Sequence, residues 1–129
     1  RLSDQRPNRM PPLNICLQVN VDKESSKAGF NCSEVKDAVF HISELPRLCL
    51  RGLMVIPRAR KGLGQQRAPF EKLRCLQAEI NQHLIQTKKL DTLSMGMSAD
   101  LEAAIMEKAT IVRVGTDIFG PRPPLNDRG

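Results

Sequence analysis

Two stretches decide the fold: LDTLSMGMSADLEAAI at residues 90–105 and IVRVGTDIFGPR at residues 111–122. Each reads as a short apolar strand that runs into a glycine turn with a hydroxyl residue beside it. In the first, Asp91 to Met95 is the strand and Ser94-Met95-Gly96-Met97-Ser98 carries the turn. In the second, Thr110 to Val114 is the strand and Gly115-Thr116 follows. Glycine lets backbone approach a ligand closely, and free N–H groups at a turn attract anions. Two such turns after consecutive strands describe a phosphate cup.

Working outward, the same alternation of strand and helix continues upstream. Leu13 to Asn20 has period 2, with Leu13, Ile15, Leu17 and Val19 on one face. A helix is expected over 33–45, capped by Asn31 or Ser33 and closed by Pro46. Residues 48–56 form a second strand, nearly continuous in apolar residues, as for a strand buried on both faces. A long helix is expected over 69–89, with Phe70, Leu73, Leu76, Ile80 and Leu84 inward. Ser98 is expected to cap a further helix over 98–108, and residues 110–115 form the fourth strand.

The order β-α-β-α-β-α-β implies parallel pairing within one α/β domain over residues 1–129. Right-handed crossovers then bring the loop with Lys27, the basic loop and both glycine turns to one sheet edge. A complete (β/α)8 barrel needs about 250 residues, so four strands amount to half of one. In such barrels the phosphate site usually follows strands 7 and 8. An open four-stranded sheet is the alternative, and it leaves two edges to cover. The chain starts with Arg1 inside an apparent helix, which reads as a partial chain.

Composition narrows the function classes. The net charge is +6, a mild preference for anionic partners. Aromatics are 3% of the chain, with no Trp or Tyr, so base stacking has little support. No apolar run is long enough to span a membrane. Cys16, Cys32, Cys49 and Cys75 lack paired metal-ligand spacing and read as free thiols in a reducing, cytoplasmic setting. No Ser/His/Asp, Cys/His or paired-carboxylate constellation stands out.

Arg113 is the most diagnostic side chain, because a charge inside an apolar strand needs a carboxylate, an exposed face or a ligand. Gly115 and Thr116 offer backbone N–H groups and a hydroxyl to a phosphate. Ser98 offers another hydroxyl, although serine at a helix start also serves simply as a cap. Asp100 and Glu102 would weaken an anion site if they faced it. Lys27 either contacts an anion or is solvated. Arg58, Arg60, Lys61 and Arg67 form a basic loop with Gly62 and Gly64, which reads either as a mobile solvated loop or as a nucleic-acid contact.

The runs LNICLQVN (13–20), SKAGF (26–30), LPRLCLRGLMVIP (45–57), LDTLSMGMSADLEAAI (90–105) and IVRVGTDIFGPR (111–122) closely resemble the pyridoxal phosphate homeostasis protein family. These proteins are also called proline synthetase co-transcribed homologues. The resemblance implies the C-terminal half of a (β/α)8 barrel of the alanine racemase N-terminal-domain type. It implies pyridoxal 5′-phosphate as cofactor, held for carriage rather than catalysis, with cofactor-requiring apo-enzymes as recipients. It places Met97, Ser98, Gly115 and Thr116 at the phosphate and Arg113 at the pyridine nitrogen. The family's Schiff-base lysine lies on an early strand with no counterpart here, so no catalytic residue is assigned. The full-length protein is expected to be a monomer, and a half-barrel to self-associate through its edges. Two other readings stay open. A racemase-like enzyme would need a tyrosine from a second domain. A nucleic-acid module would use residues 58–67.

Overall fold

A computed structural model of the protein describes residues 1–22 and 28–114. A short helix α1 (Leu2–Gln5) precedes β1 (Leu13–Gln18), α2 (Cys32–Ser43), β2 (Leu48–Met54), α3 (Leu63–Asn81), β3 (Thr92–Met97), α4 (Leu101–Met106) and β4 (Ile111–Arg113). All three strand pairs are parallel, and the sheet order is β1-β2-β3-β4. Each strand therefore lies beside its predecessor, the order of consecutive units in a barrel wall.

One apolar cluster holds the layers together. It joins Leu17 and Val19, Leu53 and Val55, and Leu93 and Met95 from the sheet side to Val35 and Val39 of α2, Phe70, Leu73 and Ile80 of α3, and Ala103 and Ala104 of α4. The faces buried here carry Val35 and Val39 in α2 and, of the stripe expected for the long helix, Phe70, Leu73 and Ile80, with Leu76 partly buried; Leu84 of that stripe lies beyond the end of α3 at Asn81. The expectation that β2 is buried on both faces is not met: Arg51 is exposed and Met54 half-buried. The helices cover one side of the sheet, and a shallow pocket of about 320 Å³ lies against Asn14, Ile15, Cys16, Arg51, Thr92 and Ile111.

Element boundaries shift from those the sequence suggests: β1 ends at Gln18, α2 spans Cys32–Ser43, β2 ends at Met54, β3 runs on to Met97 and so contains Gly96, and β4 covers Ile111–Arg113; two helices differ more. The long helix runs from Leu63 to Asn81 rather than over 69–89. Pro69 looks like a first-turn proline, but the helix starts at Leu63, just after Gly62, whose φ of 87° turns the chain out of the preceding loop. Gln66 N–H then donates to Gly62 C=O, and the Gln66 amide donates to Arg60 C=O. At the other end the Asn81 side chain exchanges two hydrogen bonds with the backbone of Leu90, which turns the chain away. Residues Gln86–Lys88 form a separate 3-10 turn.

The helix expected over 98–108 opens as a 3-10 turn, Ser98–Asp100, and is α-helical only from Leu101 to Met106. Lys108 closes it at φ 72°. Helix α2 has one of its two expected caps: Asn31 exchanges a capping box with Glu34.

Candidate functional site

The ends of β3 and β4 lie side by side, with Met97 and Arg113 as register partners. The chain reaches this point through Gly96, at φ 105°. A Cβ there would stand 2.5 Å from Ala104 Cβ and 3.3 Å from Val112 Cγ1, so β3, α4 and β4 converge only around a glycine. The pairing also shifts register between Ser94 and Met97, which re-aims the strand end.

Three of the six expected site residues fall on described backbone. Met97 is exposed, and its N–H donates to Asp100 Oδ1 at 2.7 Å. Asp100 thus closes the turn by occupying an amide that would otherwise face an anion. Ser98 is half-buried and opens the 3-10 turn, so the helix cap expected of it falls to Asp100. Gly115, Thr116 and Lys27 lie outside the described residues.

Of the partners the sequence offered for Arg113, the described residues supply no carboxylate, and the residue is only half-exposed. Its Nε and Nη2 are buried without a hydrogen-bond partner. Its Nη1 contacts the thioether of Met54 at 3.9 Å. A charged group in this position leaves several N–H donors unsatisfied, a cost that an incoming acceptor would relieve. Met54 was not visible as a site residue from sequence, because a methionine in an apolar strand reads as core.

The basic loop is largely spent on internal structure. Arg60 pairs with Asp22, which is buried, and the Arg58 backbone N–H donates to the same carboxylate at 2.8 Å. Arg67 binds Glu107 through Nε and Nη2 at 3.0 and 2.8 Å. Two of the four basic side chains expected for nucleic acid are therefore engaged within the chain. The Gln66 amide ties this segment to the β3 turn by donating to Ala99 C=O at 3.3 Å. Among the described residues, no group of three or more His, Cys, Asp or Glu could hold a metal. No described helix is long and apolar enough to cross a membrane.

Against known proteins, residues 1–123 match the family described as alanine racemase, N-terminal domain. A pyridoxal phosphate homeostasis protein of Pseudomonas aeruginosa is 51% identical over 122 residues, covering 95% of this chain and 50% of that protein. The protein of the same name from Escherichia coli K12 is 44% identical over 122 residues, covering 95% of this chain and 51% of its own length. The chain thus spans about half the length of the curated relatives it matches. Among solved structures, PipY of Synechococcus elongatus without PLP superposes with a TM-score of 0.76 at 36% identity, covering 84% of this chain and 50% of PipY. PipY with PLP bound gives 0.73 at 34% identity, over 85% of this chain and 50% of PipY. The parallel sheet with sequential strands is thus about half of a barrel of this type, and the chain belongs to the alanine racemase N-terminal domain family.

Proposed function

We propose that the chain supplies part of a pyridoxal 5′-phosphate site, and that the protein holds and delivers this cofactor in the cytoplasm without itself being a catalyst. The single observation that carries this reading is Arg113, with two buried nitrogens that no described residue satisfies. The residues fit the cofactor. Arg113 would meet the pyridine nitrogen, while Ser98, Gly115 and Thr116 would hold the phosphate; Met97, whose N–H already donates to Asp100, would border the site without donating to it. Lys27 would add a cation at the same sheet edge. Recipients would be apo-enzymes that require the cofactor.

The choice of arginine at the ring has a chemical consequence. A guanidinium stays protonated in proteins and can only donate. It therefore supports a ring nitrogen that keeps its lone pair and carries no proton. When bound, the cofactor would supply carbonyl chemistry and an electron sink, which an unprotonated ring makes weaker. Such a site favours holding over vigorous carbanion chemistry.

The test is an absorbance titration with pyridoxal 5′-phosphate. Arg113→Glu is expected to shift the spectrum of the bound cofactor and weaken its binding. An unchanged spectrum at full occupancy would remove the ring contact from the proposal.

A further inference from the structure

Arg113 stands on β4, yet its guanidinium meets Met54 on β2, with β3 between them. Adjacent strands lie about 4.8 Å apart, so the side chain crosses roughly twice that distance over the sheet face away from α2, α3 and α4. Ser94 occupies the intervening strand, pairing in register with Met54 on one side and Ile111 on the other. Its neighbours Leu93 and Met95 are buried in the core, so strand alternation puts the small Ser94 side chain under the crossing.

An arginine near the end of a short strand ordinarily turns its head to water. Here the head lies along the sheet, and a thioether is its one hydrogen-bonding contact among the described residues. Sulfur is a weak acceptor, so it can hold the guanidinium in place and still leave it available to a stronger acceptor. An aliphatic side chain of the same volume would fill the space without giving the N–H a direction.

We propose that Met54 is the positioning residue for Arg113: its thioether lays the guanidinium across β3 and so presents Nε and Nη2 to an incoming ring acceptor. The identity of that acceptor rests on the cofactor reading above, whereas the placement of the guanidinium is a property of the chain alone.

Two substitutions separate a directing acceptor from a space filler. Met54→Leu conserves volume and removes the acceptor, while Met54→Gln restores one on an unbranched side chain of similar reach. The first readout needs no cofactor: exchange with water of the Arg113 Nη1–H, the proton that faces Met54 Sδ, followed by nitrogen-15 NMR. Met54→Leu is expected to speed this exchange about fivefold, the factor for losing one weak hydrogen bond, and Met54→Gln to return it toward the parent rate. The second readout is the absorbance of added pyridoxal 5′-phosphate, expected to shift in the Leu variant and recover in the Gln variant. Parent-like exchange in Met54→Leu, at an unchanged urea midpoint, overturns the proposal. Faster exchange in a protein that takes up no cofactor upholds the positioning role and removes the cofactor reading instead.

Discussion

Glu107 and Arg113 are both charged side chains withdrawn from water, on opposite sides of the same sheet, and the chain treats them differently. Glu107 follows α4 with its side chain 3% exposed. One carboxylate oxygen takes two bonds from Arg67, at 3.0 and 2.8 Å, and the other takes two from Arg74, at 3.3 and 3.0 Å. Both arginines come from α3, so this pair of forks pins α3 to α4. Arg113, on the face without helices, receives no oxygen among the described residues. The carboxylate of Glu107 is answered on both oxygens by the chain, whereas Arg113 is given no oxygen by any described residue. The contrast is what makes Arg113 the better functional candidate, although the segment 58–67 carries more positive charge.

Breaking the satisfied side should have the largest effect. Glu107→Ala is expected to cost on the order of 3 kcal/mol, because four charge-assisted bonds vanish and α3 loses its tie to α4. Urea unfolding measures it. The pH dependence carries the same signature. The hydrogen bonds from Arg67 hold the Glu107 carboxyl below its ordinary value of 4.5, with Arg74 adding to the effect against the opposing pull of burial. A carboxyl depressed by folding stabilises above its unfolded pKa, and that stability is lost as pH falls through the folded value. Stability should thus decline below about pH 4.5 in the parent and decline less in Glu107→Gln, which has no charge to lose there.

The unsatisfied side should respond with the opposite sign. Arg113→Met removes a buried guanidinium with no oxygen partner, so it is expected to leave stability unchanged or raise it by up to about 1 kcal/mol. A loss as large as that for Glu107→Ala, measured in the same urea series, would erase the distinction between the two charges.

The smallest effect belongs to Asp91. Its bonds to Arg51, at 3.1 and 2.5 Å, resemble those of Glu107 in form. They depress its carboxyl too, with help from Thr92. But the two side chains are 44% and 58% exposed, so water screens the pair. Asp91→Asn should leave the urea midpoint in place, and a shift comparable to that of Glu107→Ala would show that burial is not what separates the two carboxylates.

Much of the architecture was legible because it depends on local periodicity. The alternation in Leu13–Asn20 and the apolar stripe of α2 through Val35 and Val39 each encode one element and one buried face, whereas the apolar run at Leu48–Ile56 marked its strand but not that Arg51 is exposed. Gly96, expected in a turn after the strand, lies inside β3 at φ 105°, where the pairing shifts register and few other residues fit. The ends of α3 were not legible. Pro69 signals a helix start, but Gly62, Gln66 and Asn81 set the real limits through bonds to Arg60 and Leu90. Likewise Arg60 and Arg67 looked alike as loop cations, and only folding showed that Asp22 and Glu107 hold them.

The order of the sequence, with its periods of 2 and 3.6, was enough to determine a parallel α/β unit, and one arginine in an apolar strand stood out as the charge in need of a partner. Tertiary structure alone decided which charges are answered. The partners of Arg60, Arg67, Arg74 and Arg113 lie 33 to 59 residues away along the chain, 38, 40, 33 and 59 respectively. Pairing across such separations is set by how sheet and helices pack, and local sequence preference carries no record of it.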